Sequence, residues 1–155
     1  MELPVTLRRI AYRAGYNVLR LVWLVRRPAV DGVKCVITDG DSVLLVRHTY
    51  GSPRWDLQGG RVGRAEPPLD TARREMTEEL GVQIADWNPL GELHVEIDHR
   101  RDTIHLFRTE LRSPSFRIDR GELSVVRWFR RAELPADLAP HVIPILARAD
   151  PLPAP

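Results

Sequence analysis

Apolar side chains recur at Ile10, Ala14, Val18, Leu21, Val22 and Val25, mostly every third or fourth position across residues 5–27. That spacing predicts an amphipathic helix, with Pro28 just beyond its end. From residue 33 the rhythm shortens. "VKCVIT" and "SVLLVRHTY" are short β-type runs on either side of "DGDS", whose Asp-Gly pair predicts a hairpin of two antiparallel strands. Further strand-like runs follow at "GELHVEI" (91–97), "TIHLFRTEL" (103–111) and "LSVVRWF" (123–129). Between the two groups lies a helical segment, 68–80. Proline is confined to its first turn, its interior has no glycine, and Gly81 stands where a left-handed C-cap is wanted. A last helix is expected within 133–148, broken or kinked near Pro140 and Pro144.

This order predicts a mixed α/β (α+β) fold, a curved mixed β-sheet sandwiched between helices with an added N-terminal helix. Residues 1–30 form the helical extension, 31–150 the main domain and 151–155 a disordered tail. A chain of 155 residues with 43% apolar content supports one real core and leaves no room for a second full domain. Nor is there an internal repeat.

Charge adds little about partners. The 23 basic and 21 acidic residues leave a formal +2, so the whole-chain balance makes no case for a nucleic-acid or membrane partner. Lys34 is the only lysine, an arginine preference that codon bias explains as well as phosphate recognition does. The arginines of the first helix (Arg8, Arg9, Arg13, Arg20, Arg26, Arg27) could meet acidic lipid or nucleic acid; the reading taken is the wet face of a docked or homodimer-forming helix. Cys35 stands alone, which excludes an intrachain disulfide and suits a buried thiol in a reducing compartment. "VLRLVWLV" (18–25) is too short to span a bilayer, contains Arg20 and precedes no small-residue cleavage site, so a cytoplasmic location is expected.

The chemistry concentrates in "RREMTEELGV" (73–82). On the helix, Leu69, Ala72, Met76 and Leu80 fall on one stripe that must face the core. Glu75, Glu78 and Glu79, at i, i+3 and i+4, form a second cluster to one side of it. Like charges so placed repel by a few tenths of a kcal/mol per pair, and Arg74 cannot neutralise three carboxylates. Hard oxygen ligands converging from one rigid face suit Mg²⁺ or Mn²⁺. Taken alone, the same cluster also reads as a solvated helix face.

The surrounding stretch, "GGRVGRAEPPLDTARREMTEELGV" (59–82), resembles the Nudix hydrolase signature. Its specified positions are Gly60, Glu66, Arg74, Glu75, Met76, Glu78, Glu79, Gly81 and Val82, and all match. "RWDLQGG" looks like the family's entry into the box, with Gln58 where proline is frequent, a departure that bears on loop stiffness. "VVRWFRRAELP" looks like its closing strand and turn.

The resemblance implies a Nudix fold and a divalent-metal-dependent pyrophosphohydrolase, cleaving a nucleoside diphosphate linked to another moiety by attack of water at phosphorus. It implies metal ligation by Glu75, Glu78, Glu79 and the Gly60 carbonyl, with catalysis carried by Glu78, Glu79 and Arg74. Glu66 and Arg74 would orient the loop and the glutamates. The general base is expected at Glu122, with Glu96 as the alternative. Arg47, His48, Arg54 and Trp55 are candidate substrate contacts, Trp55 reading equally as a packing aromatic. His94, His99 and His105 alternate with apolar residues and read as hydrogen-bonded strand residues.

For substrate, the ADP-ribose branch carries a proline shortly after the box and the dinucleoside-polyphosphate branch a tyrosine, whereas "EIDHRRD" (96–102) has neither. A nucleoside triphosphate, canonical or oxidised, is therefore favoured, with ADP-ribose or a nucleotide sugar as the alternative. A nucleotide-sensing module without activity would be expected to have lost glutamates. An RNA 5′-end hydrolase would be expected to show a basic, aromatic-interleaved surface, and none is evident. A Walker loop is absent.

Overall fold

A computed structural model describes residues 4–97 and 99–150. The expected tail, 151–155, lies outside the described residues. In chain order the elements are α1 (Val5–Arg26), β1 (Ala29–Asp39), β2 (Ser42–His48), β3 (Gln58–Arg61), α2 (Pro68–Leu80), β4 (Asn88–Ile97), β5 (Arg100–Glu110), β6 (Leu123–Arg130), a 3-10 turn (Arg131–Glu133) and α3 (Val142–Ala149). Among the described residues no helix is long and apolar enough to cross a membrane.

The sheet is mixed, ordered β4-β5-β1-β2-β6, with β3 also paired to β1. Strand β1 organises it. One edge runs parallel to β5 from Ala29↔Arg101 to Thr38↔Glu110. The other edge is divided: Thr38 and Asp39 pair with β2 across the Asp-Gly turn, and Gly32–Cys35 pair with β3. Because β2 leaves β1 so early, the sheet splays, and β3 enters the gap. Alternation along the strands then builds two cores. Val33, Cys35, Ile37, Leu44 and Val46 pack with Ala72, Met76 and Leu80 of α2. Val36, Val43 and Leu45 pack on the opposite face with Val142, Ile145 and Leu146 of α3. Burying each such Leu, Ile or Met contributes about 1.5–3 kcal/mol. Cys35 is buried and free.

Helix α2 occupies its expected span. Gly81 takes φ 66°, its N–H donating to the Thr77 carbonyl at 3.1 Å while Val82 N–H donates to Met76 at 3.3 Å, which satisfies carbonyls the helix end would strand.

Three expectations change. Strand β3, "QGGR", was not anticipated, since two glycines carry no periodicity and its pairing is with a distant strand. The final helix, expected somewhere within 133–148, is Val142–Ala149, and it is not broken at Pro144, which sits in its first turn where no amide partner is needed. Helix α1 docks by the face opposite to its apolar stripe. Val18, Leu21 and Val25 are 62%, 68% and 83% exposed, while Trp23 is 7% exposed and turned inward. Polar anchors hold it: Arg8 to Asp119 at 2.5 Å, Arg13 to the Thr49 carbonyl at 2.8 Å and Tyr12 to Glu122 at 2.9 Å.

Candidate active site

Two glycines on β3 let the strand lie close to β1 on one side and to α2 on the other. A Cβ on Gly59 would lie 1.9 Å from the Val33 carbonyl oxygen, and one on Gly60 would lie 2.2 Å from the Glu75 carboxyl carbon. Only glycine admits both neighbours. The Glu75 carboxylate therefore rests directly against the Gly60 backbone.

The three helix glutamates are not equivalent. Glu75 and Glu79, one turn apart, point back toward the sheet and are 8% and 3% exposed, whereas Glu78 faces solvent. Arg74 brackets the cluster. Its Nη1 donates to Glu75 at 2.8 Å and to Glu78 at 3.2 Å, while Nε and Nη2 reach Glu66 at 3.0 and 3.1 Å. Arg74 thus meets two of the three helix carboxylates, with Glu79 left to others. Glu66 also accepts from the Gly63 N–H at 3.0 Å and the Thr71 hydroxyl at 2.8 Å. Chiefly through Arg74 and then Thr71, its carboxyl is held down at about 2.

Glu79 is met by Gln58 and Glu122. The Gln58 amide, fully buried on β3, donates to Glu79 Oε2. Glu122 comes within hydrogen-bonding reach of the same carboxylate and takes the Tyr12 hydroxyl on Oε1 at 2.9 Å. The loop before β6 brings Glu122 there. Arg117 N–H donates to Leu80 O and Asp119 N–H to Glu79 O, both at 2.8 Å, which ties the loop to the C-terminal end of α2. Burial drives the Glu75 and Glu79 carboxyls upward, partly opposed at Glu75 by Arg74 and reinforced at Glu79 by Glu122.

The oxygens that could hold a divalent ion are those of Glu75, Glu78, Glu79 and Glu122 and the Gly60 carbonyl, a hard donor set that fits Mg²⁺ or Mn²⁺. Buried carboxylates whose charges raise one another's pKa favour an added cation. Among the described residues no three such side chains already stand around one point. Arg74 holds an oxygen of Glu75 and Gln58 one of Glu79, each an oxygen an ion would use.

Beside Gly60 opens a cleft of about 780 Å³ whose lining includes Tyr16, Trp23, Lys34, His48, Tyr50, Arg54, Asp56, Glu96 and His141. Lys34 donates to Asp56 at 2.7 Å and to the Leu57 carbonyl at 3.0 Å, and His141 Nε2 meets the other Asp56 oxygen at 2.7 Å. Burial alone would raise the Asp56 pKa; Lys34 and then His141 reverse this and hold it below the ordinary carboxylate range. Burial, with help from Lys34, pushes His48 down to about 4, so its ring is neutral near pH 7.

Of the expected substrate contacts, His48 and Arg54 line this cleft and the other two do not. Trp55 is 6% exposed and packs edge-on to Phe129 at 4.8 Å, as a core aromatic. Arg47 lies over the Trp55 ring at 4.5 Å and pairs with Asp137, which occupies its guanidinium. Glu96 lines the cleft but is exposed on β4, and the carboxylates facing Glu79 do not include it. His94 meets Thr103 at 3.2 Å and His105 meets Glu92 at 3.2 Å, both within the sheet. His99 is not a strand residue; it takes φ 67° in the turn between β4 and β5.

Sequence reasoning missed Gln58, Tyr12 and the Lys34–Asp56–His141 group. Gln58 alone left a signal, as a polar residue where the resembled pattern favours proline.

The profile of the NUDIX domain matches residues 26–149, and the chain belongs to the Nudix family. It is 29% identical over 106 residues to a putative 8-oxo-dGTP diphosphatase of Bacillus subtilis (strain 168), covering 68% of this chain and 69% of that protein. Over 52 residues it is 48% identical to an ADP-ribose pyrophosphatase of Mycobacterium tuberculosis (strain ATCC 25618 / H37Rv), 33% of this chain and 25% of that protein. The chain thus spans a quarter of that relative's length. The crystal structure of MutT NUDIX hydrolase from Burkholderia pseudomallei superposes with a TM-score of 0.72 at 20% identity, over 79% of this chain and 98% of that one, a likeness of fold.

Proposed function

We propose that this protein hydrolyses a phosphoric anhydride bond in a nucleoside diphosphate derivative, using Mg²⁺ or Mn²⁺ held by Glu75, Glu78, Glu79 and the Gly60 carbonyl. The observation that carries this reading is the Glu75 carboxylate lying against Gly60, which lines the open cleft, with Glu79 one helical turn away and met by Glu122. The ion, when bound, neutralises the diphosphate and polarises the phosphorus under attack. Glu122 takes the proton of the attacking water as its oxygen bonds to phosphorus and the bond to the leaving phosphate oxygen breaks. Arg74 fixes Glu75, and Glu66 fixes the loop that follows β3 at Gly63, so that binding does not have to order them. Arg54 and Arg61 line the cleft and bring guanidinium groups to where a polyanion must enter, while Lys34 is paired with Asp56.

A nucleoside triphosphate, canonical or oxidised, is the favoured substrate. The Bacillus subtilis relative, matched over about two thirds of both chains, bears the name putative 8-oxo-dGTP diphosphatase. ADP-ribose is the second reading, favoured by the higher identity over the shorter match. The test is a panel of nucleoside triphosphates, oxidised nucleotides, ADP-ribose and nucleotide sugars, with phosphate and pyrophosphate release followed in Mg²⁺, in Mn²⁺ and in excess chelator. Metal-dependent release from at least one member is expected. Undiminished turnover in chelator, or none on any member with metal, removes the reading.

A further inference from the structure

Helix α1 lies almost wholly outside the segment matched by the NUDIX profile, yet it forms a wall of the cleft. At 3.6 residues per turn, Tyr12, Tyr16 and Trp23 fall within an arc of about 40°, so one narrow stripe of the helix presents three aromatic rings inward. They meet the end of β2 and the turn after it. Tyr50 is the hub, with Tyr12 at 5.7 Å, Tyr16 at 5.5 Å and His48 at 5.6 Å between ring centroids. Trp23 stands edge-on to Tyr16 at 5.8 Å and backs it. The approach is close because residue 51 is glycine, with φ 72°; a Cβ there would lie 3.2 Å from the Tyr16 ring. The cleft lining also includes Lys34 and His141, both paired with Asp56. Gly60 lines the same cleft, with the Glu75 carboxylate directly against it.

We infer that α1 supplies the nucleobase subsite of this protein, Tyr16 and Tyr50 offering ring faces to the base of a nucleoside diphosphate derivative whose phosphates lie at Gly60. The inference rests on the hydrolytic reading for where the phosphates go. Tyr16 is the contact residue, half-buried and on the cleft. Tyr12, one turn earlier, touches Glu122 instead and is a positioning residue for the reaction centre. One helix thereby sets base recognition with one tyrosine and the reaction centre with the other.

The two roles separate experimentally. Equilibrium binding of ADP, GDP and inorganic pyrophosphate to the full chain in Mg²⁺ is compared for the wild type, Tyr16→Ala and Tyr16→Phe. Loss of one base–aromatic contact should weaken ADP and GDP by about 10- to 100-fold in Tyr16→Ala. Pyrophosphate, which has no base, should bind as to the wild type, and Tyr16→Phe should restore most of the nucleotide affinity. Should Tyr16→Ala fail to fold, Tyr16→Leu keeps apolar bulk without a ring face and carries the same comparison. In turnover, Tyr16→Ala should raise KM with kcat little changed, and Tyr12→Phe should lower kcat with KM little changed. Nucleotide affinity unchanged in Tyr16→Ala, equal loss for pyrophosphate, or no nucleoside diphosphate binding by the wild type overturns the inference. A wild type that binds nucleotide and hydrolyses nothing overturns only the hydrolytic reading.

Discussion

The Gln58 side-chain amide donates to the Glu79 carboxylate inside the protein, joining a four-residue strand to the last turn of the glutamate helix. The proline frequent in the family at this position could not make that bond. Gln58→Leu keeps bulk but leaves a buried carboxylate oxygen without its donor. Metal-free protein should lose about 1–2 kcal/mol of unfolding free energy, measured by urea titration. A variant as stable as the wild type would mean that Glu79 does not depend on Gln58.

Glu79 itself should behave as a group held for function at the expense of stability. Glu79→Gln removes a charge from beside Glu75 and Glu122, so the metal-free melting temperature should hold or rise while turnover falls by roughly two orders of magnitude or more. Added Mn²⁺ should raise the melting temperature of the wild type and leave that of Glu79→Gln nearly unmoved. An unfolded variant would instead make Glu79 a structural residue.

Glu122 and Glu96 are separated by position. Glu122 faces Glu79 and Tyr12, whereas Glu96 is exposed on the cleft rim. Glu122→Gln should lower kcat with KM nearly constant. Glu96→Gln should stay within about twofold of the wild type, under half a kcal/mol in barrier. The reverse pattern would move the general base to β4.

His48 gives a stability prediction with a definite sign. Its folded pKa is about 4 against an ordinary 6.5, so between those values the unfolded chain binds the extra proton. Its contribution is complete above pH 6.5 and is lost as pH falls toward 4. Allowing for partial exposure, that is about 1–3 kcal/mol. Glu75 and Glu79, with raised carboxyls, pull the opposite way, so the quantity to read is the difference between proteins. Wild type should lose more stability on acidification across this window than His48→Gln, by urea unfolding at several pH values; parallel curves would place His48 in contact with water.

What the sequence determined is local. Leu69, Ala72, Met76 and Leu80 repeat at helical spacing and Gly81 has the freedom a C-cap requires, so α2 and its glutamates were legible within one short window. The Asp-Gly turn between β1 and β2 was legible for the same reason. Tertiary structure decided the partnerships. Strand β3 exists because the splayed edge of β1 accepts it, and its glycines leave no pattern of their own. Periodicity located α1 but not its orientation: the apolar stripe lies outward because Arg8, Tyr12 and Arg13 find Asp119, Glu122 and Thr49, residues far along the chain. Trp55 is a core residue because Phe129 faces it, and Glu122 reaches Glu79 because the loop before β6 hydrogen-bonds to the end of α2. A periodic pattern fixes which side chains share a face; which distant groups that face meets depends on packing and hydrogen bonds that form only when the whole chain is folded.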